Sequence, residues 1–192
     1  MSLAAPDVLS LFRRSGALLD GHFKLSSGLH STGYLQCALV LQHPAQAETL
    51  GQALAEELRR LEATVVLSPA MGGLIIGHEV GRALGVRAIF SERQDGRMTL
   101  RRGFTLDPSD RVVVIEDVVT TGLSTRETIA VVTASGGAAV VGAGAIVDRS
   151  SGAADVGVPF QSLVRLDVPT YQPDACPMCA AGQPVTKPGS RA

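Results

Sequence analysis

Four β-branched residues, Val112-Val113-Val114-Ile115, run into two acids, Glu116 and Asp117, and then through Val118 and Val119 into Thr120-Thr121-Gly122-Leu123-Ser124. These residue types in this order suit a phosphorylated sugar. Such a strand is buried in a parallel sheet, and ligands of open parallel sheets collect at the carboxyl ends of the strands. A helix opening just after the glycine presents unpaired N–H groups and a positive dipole end to an anion. Thr120, Thr121 and Ser124 add hydroxyl donors, Gly122 lets the backbone come close, and the acids accept hydrogen bonds from sugar hydroxyls. The competing reading is an ordinary turn in which Glu116 and Asp117 only cap the next helix.

Three more groupings carry chemistry. Ser68-Pro69-Ala70-Met71-Gly72-Gly73 repeats the order of strand, glycine turn and helix. The stretch from Ser91 to Asp110 holds Arg93, Arg97, Arg101 and Arg102 beside Glu92 and Asp95, and its length and polarity mark it as a functional lid. Arg149 follows Val147-Asp148 at the end of an apolar run, where a guanidinium fork matches a planar carboxylate. An Asp148–Arg149 surface pair is the alternative.

The elements that must position these residues are legible from periodicity. Val8, Leu9, Leu11 and Phe12 behind Pro6 and Asp7 predict a short helix over 5–15. Residues 21–28 predict a strand and tight turn, the start of an N-terminal hairpin or hood. Leu50, Leu54, Leu58 and Leu61 predict a helix over 44–61. Strands at 64–67, 112–115 and 138–147 alternate with helices reaching Leu84 and spanning 124–135, which predicts an α/β fold: a central parallel sheet with helices on both faces. Residues 169–192 are rich in Pro and Gly and predict an irregular tail.

Composition narrows the function classes. The 192 residues are 45% hydrophobic and 18% charged, the balance of one globular domain. A formal charge of −1 speaks against general nucleic-acid binding. No apolar run is long enough for a membrane span, and the N-terminus lacks the pattern of a signal peptide, so a cytoplasmic protein without a membrane partner is expected. Three cysteines do not form a disulfide framework. Of seventeen basic residues only Lys24 and Lys187 are lysine, so cation chemistry falls to arginine.

The segment from Val112 to Ser124 resembles the phosphoribosyl diphosphate (PRPP) motif of the type I phosphoribosyltransferases: a strand, two acids, two apolar residues, Thr, any residue and Gly. The first acid is usually Asp there and is Glu116 here. Across roughly 9–165 the chain resembles the orotate phosphoribosyltransferases in particular. Phe23 to Ser31 is similar to their N-terminal substrate turn, Ser68 to Gly73 to their pyrophosphate loop, Phe90 to Phe104 to their mobile catalytic loop, and Val147-Asp148-Arg149 to the position facing the orotate carboxylate.

The resemblance implies a type I phosphoribosyltransferase fold, with a core over 44–159, a hood from 1–36 and 160–192, and a mobile loop over 91–104. It implies transfer of phosphoribose from PRPP to orotate, giving orotidine 5′-monophosphate and pyrophosphate in pyrimidine synthesis. Ala70, Met71, Gly72, Gly73 and the residues Glu116 through Ser124 would hold PRPP. Ser26, Thr120 and Arg149 would hold orotate, and Arg93, Arg97, Arg101 and Asp117 would act in catalysis. Magnesium would travel on PRPP with no direct protein ligand, and a homodimer would share the loop between subunits. Better-known bacterial relatives carry lysines in the N-terminal turn, pyrophosphate loop and mobile loop, and a loop histidine. Here those positions read Ser26, Gly72 and the arginines, and no lysine or histidine lies between Asp95 and Asp148.

Cys176-Pro177-Met178-Cys179 is half of a metal site by spacing, and the histidines His22, His30, His43 and His78 show no complementary spacing. A packed, reduced turn is the expectation. Some orotate phosphoribosyltransferases have a similar Cys-Pro-x-Cys tail.

Overall fold

The structure, a computed structural model, describes residues 3–25 and 27–188. The first helix, α1 (Ala5–Arg14), has Asp7 in its first turn and Arg13 and Arg14 in its last, complementing the helix dipole, and buries Val8 and Phe12 four positions apart. Strands β1 (Leu18–Lys24) and β2 (His30–Leu35) form an antiparallel hairpin. A short helix α2 (Ala38–Leu41) leads into α3 (Pro44–Leu58), which buries Leu50, Leu54 and Leu58 on one stripe. A 3-10 turn then carries the chain through Leu61.

The central sheet begins with β3 (Val65–Pro69), followed by α4 (Gly73–Leu84), β4 (Arg87–Gln94), β5 (Arg97–Leu100), β6 (Arg111–Val119), α5 (Leu123–Ala134), β7 (Ala139–Asp148) and β8 (Phe160–Arg165). Its order is β5-β4-β3-β6-β7-β8, parallel except for β5. Both faces are apolar, as a sheet covered on two sides requires. Val66, Val113 and Ile115 pack into the cluster that holds Phe12, Leu50, Leu54 and Ile76 from the helices on one side. Val65, Leu67 and Val112 point the other way, where Val132 of α5 covers them.

From β3 the chain moves outward to β4, whereas from β6 it moves to β7 on the opposite side. The direction of winding therefore reverses between β3 and β6. The carboxyl ends of these adjacent strands flank the crevice where doubly wound sheets take ligands.

Three expectations need correction. Half of the stretch read as a long lid is a β-hairpin: β4 continues to Gln94, β5 returns from Arg97, and 101–110 is irregular. Asp95 and Gly96 both adopt positive φ, 50° and 80°. That is the type I′ turn favoured by the Asp-Gly dipeptide, a local signal that outranks overall polarity. Residues 160–165, assigned to the hood, pair with β7 as the far strand of the core sheet. The tail is not irregular throughout: β9 (Thr170–Tyr171) pairs with β2, α6 spans Pro177–Ala180, and Thr186 bridges to Phe23. The hood is thus the three-stranded sheet β1-β2-β9 with the C-terminal segment laid against it.

Candidate functional site

The cleft at the winding reversal is lined by Pro69, Ala70, Gly72, Arg93, Met98, Glu116, Asp117, Val118 and Ser124. It thus joins the turn after β3, the acidic end of β6, the start of α5 and one arginine of the hairpin. Two helix N-termini, those of α4 at Gly73 and α5 at Leu123, open beside it. Each leaves its first amides without intrahelical partners, so two anion sites lie side by side.

Glycines set how closely the parts approach. A methyl group on Gly72 would lie 2.6 Å from Asp117 Oδ1, and one on Gly73 would lie 2.8 Å from the Ile115 carbonyl. The turn after β3 therefore packs directly on the acidic end of β6. Ala70, joined to Met71 by a cis peptide, is fixed by its N–H donating to the Ser91 carbonyl at 2.7 Å, while the Met71 side chain stands exposed. At the second turn Gly122 takes φ 73°, and a methyl group there would meet Val156 Cγ1 at 2.9 Å. Arg126 braces this turn by donating to the Thr121 and Asp155 carbonyls at 2.9 and 2.8 Å. Thr120, Thr121 and Leu123 are exposed around it, and Val119 is buried beneath.

Glu116 is buried and Asp117 half-buried at the floor. Burial, reinforced by the neighbouring Asp117 carboxyl, pushes Glu116 up to about 9, and burial also raises Asp117. The Val118 N–H donates to Asp117 Oδ1 at 2.8 Å, which orients that carboxyl. Backbone N–H groups only partly offset the burial of these two acids, so further hydrogen-bond donors or a cation would favour their ionised forms. Hydroxyls of a sugar, or a divalent ion carried on a diphosphate, fit them.

Arg149 donates its backbone N–H to the Val119 carbonyl at 2.8 Å, which places it directly beside the end of β6. Its Nε is buried without a hydrogen-bond partner among the described residues, and burial lowers the guanidinium from its ordinary value. The surface-pair alternative fails on geometry. Asp148 is occupied by the Ser150 N–H and hydroxyl and faces Arg165 at 3.6 Å. Arg149 is therefore a half-buried residue whose Nε–H finds no acceptor among the described residues.

The predicted arginines are divided by the fold. Arg93 reaches the cleft, held there by Glu127 of α5 and by the Gly96 carbonyl. Arg101 and Arg102 both face Glu92, whose carboxyl Arg102 holds below its usual range through direct hydrogen bonds at 2.9 and 3.1 Å. Arg97 sits at the hairpin tip near Glu127 and Val131, with no ion pair among the described residues. Ser26 lies outside the described residues. Sequence reasoning missed Glu127, Arg126 and Cys37. Burial first, then the charges of Asp117 and Glu116, push the thiol of the buried Cys37 well up. None of the three has a motif, because each works through contacts that only the tertiary fold creates.

No family model matches the sequence. An orotate phosphoribosyltransferase of Carboxydothermus hydrogenoformans is 54% identical over 187 residues, covering 96% of this chain and 97% of that protein. The chain belongs to the orotate phosphoribosyltransferase family. Another member, from Erythrobacter litoralis, is 58% identical over 97% of both chains. Among solved structures, the orotate phosphoribosyltransferase of Aeropyrum pernix aligns with a TM-score of 0.66 at 28% identity, covering 83% of this chain and 93% of that one. The family's type I phosphoribosyltransferase fold accounts for the winding reversal, the two glycine turns and the acidic strand end.

Proposed function

We propose that this chain transfers the 5-phosphoribosyl group of PRPP to orotate, releasing pyrophosphate and orotidine 5′-monophosphate, as a cytoplasmic enzyme of pyrimidine synthesis. The observation that carries this reading is the unpartnered, buried Nε of Arg149, whose backbone N–H bonds to the Val119 carbonyl at the end of β6, next to the acidic strand end that lines the cleft. The resemblance to proteins named for orotate supports it.

In the mechanism, the turn 120–124 at the start of α5 holds the 5′-phosphate, and Glu116 and Asp117 accept from the ribose hydroxyls. Residues 70–73 and the first amides of α4 hold the pyrophosphate. Arg149 grips the orotate carboxylate with its fork and thereby aims a ring nitrogen at the anomeric carbon. The new C–N bond forms as the C–O bond to pyrophosphate breaks, its electron pair leaving with the pyrophosphate oxygen while the ring nitrogen's proton passes to the departing pyrophosphate. Positive charge develops on the ribose, and the carboxylates below it are placed to stabilise that charge. Magnesium bound to PRPP would neutralise the leaving pyrophosphate. Arg93, at the rim, adds a guanidinium to the same side. Positioning and charge do this work without a loop histidine.

Binding has a proton signature. Because Glu116 is held to about 9, the free protein carries a proton on the acidic pair near pH 7.5. Magnesium–PRPP brings donors and a cation that favour the ionised pair, so binding should release up to about one proton per site. Titration calorimetry in buffers of different ionisation enthalpy measures that number, and proton uptake would contradict the assignment.

The function itself is tested with a panel of bases. Orotate should be used at least ~10³-fold better than uracil, which lacks only the carboxylate, because uracil leaves Arg149 unpaired. Equal use of uracil, or preference for a purine, would overturn the substrate.

A homodimer sharing its hairpins is part of the proposal, supported by Arg97, a hairpin-tip arginine without an ion pair among the described residues. Mixed Arg149→Ala and Arg97→Ala proteins, each inactive alone, should regain about a quarter of wild-type activity on statistical reassociation. No recovery would place Arg97 in its own subunit's site, and full activity of Arg97→Ala by itself would place it outside both.

A further inference from the structure

His22 and His30, eight residues and about 26 Å of extended chain apart, are brought together by the β1–β2 hairpin, and the returning tail sets Cys176 and Cys179 against them. One ligand atom from each of the four lies within 4.8 Å of every other. His22 Nε2 is 2.9 Å from His30 Nδ1, 3.5 Å from Cys176 Sγ and 3.7 Å from Cys179 Sγ. Cys179 Sγ is 3.3 Å from His30 Nδ1. A tetrahedral zinc ion with its usual bonds to imidazole and thiolate has edges of about 3.4 Å between nitrogens, 3.6 Å between nitrogen and sulfur and 3.8 Å between sulfurs. The three nitrogen–sulfur edges given above, 3.3 to 3.7 Å, lie close to that value. The nitrogens need to part by about half an ångström to admit the ion.

The surroundings also suit a metal. His22 Nδ1 lies 2.9 Å from the Gln183 carbonyl, which accepts only from a protonated nitrogen. That bond leaves Nε2 with its lone pair pointing into the cluster, the orienting contact that metal-bound imidazoles ordinarily have. His22, His30 and Cys176 are buried, while Cys179 is exposed and leaves a way in. No carboxylate is among the four, so the set selects a thiophilic ion over magnesium or calcium.

We propose that His22, His30, Cys176 and Cys179 form a structural zinc site that fastens the C-terminal segment to the hood hairpin. Four protein ligands leave no open position for a substrate, so the ion is structural and takes no part in the transfer. The packed, reduced turn expected from the sequence gives way to this reading because the hairpin supplies the two histidines that spacing alone did not reveal. The fastening is well placed to matter. Thr186 already bonds across β1, its N–H donating to His22 O and its carbonyl accepting from Lys24 N–H, each at 2.8 Å. Beyond Lys24 lies the turn closed by Leu25 and Leu29, which the resemblance assigns to substrate binding.

The test is the metal content of the full chain purified under reducing conditions with zinc supplied, followed by exchange with cobalt. About one zinc per chain is expected, and the cobalt form should show the absorption of a tetrahedral site with thiolate-to-cobalt charge transfer. The Cys176→Ser/Cys179→Ser double variant should lose the ion, the charge-transfer band and thermal stability, whereas Cys37→Ser should keep the ion. Less than about 0.1 equivalent of zinc retained after desalting, or cobalt bound without charge transfer, would overturn the site. Loss of two titratable thiols in place of metal would also overturn it, in favour of a Cys176–Cys179 redox pair. The cobalt spectrum is read on the wild-type chain, so the outcome stands even if the double variant does not fold.

Discussion

Arg149→Ala should lower kcat/KM for orotate by about 10²- to 10³-fold while leaving the affinity for PRPP within about twofold. The reasoning runs through unpaired charge. In the wild type the guanidinium is partly buried, its Nε has no hydrogen-bond partner among the described residues, and the adjacent Asp148 is committed to Ser150 and Arg165. Orotate supplies the missing acceptor, and truncation leaves its carboxylate in the cleft without a counter-ion. Arg149→Lys should recover only part of the loss, because a point charge does not reproduce the two parallel bonds of the fork. Steady-state kinetics with PRPP binding measured in parallel checks both statements. A uniform fall in PRPP affinity would instead make Arg149 a structural residue of the β7 end.

Gly122→Ala should be the second severe change. The residue sits at φ 73°, where a side chain costs about 1–2 kcal/mol. Its added methyl group would also meet Val156 Cγ1 at 2.9 Å, within a turn already braced by Arg126. Overpacking of that kind costs a further ~1–3 kcal/mol. The turn has two ways to respond. It can hold its shape, in which case the melting temperature falls by roughly 5–15 °C. Or it can shift, in which case the phosphate loses its cradle and PRPP affinity falls by more than about tenfold. Thermal melts with and without PRPP separate the two responses, and a variant unchanged in both would remove Gly122 from the site.

Some parts of the molecule were legible in the sequence because they are set locally. Val112 to Gly122 reads as strand, acids and turn since each step depends on neighbours in sequence: β-branched burial, then hydroxyls, then a glycine at positive φ. The leucine stripe of α3 is of the same kind. The hairpin at Asp95-Gly96 was equally local, yet the polarity of its arginines outweighed the turn signal. Other parts depend on pairing over long distances. Residues 160–165 join the sheet through β7, and Arg93 is held by Glu127, thirty-four positions away. The histidine and cysteine cluster joins residues more than 145 positions apart, and only the return of the tail across β1 and β2 creates it. Substitution of arginine for the family's usual lysines was visible in the sequence, but which arginine faces the cleft was decided by ion pairing: Glu92 claims Arg101 and Arg102, and Arg93 remains at the rim.

The central claim, that a half-buried arginine and two anion-binding turns make this cleft an orotate phosphoribosyltransferase site, is tested most directly by one stoichiometry. The protein is incubated with magnesium, PRPP and orotate, and the loss of orotate absorbance is followed while pyrophosphate is quantified. The account predicts catalytic loss of orotate with one pyrophosphate and one orotidine 5′-monophosphate formed per orotate consumed, and none of these without PRPP. PRPP bound with no orotate consumed would contradict it, leaving a phosphoribosyl-binding protein without the transfer activity.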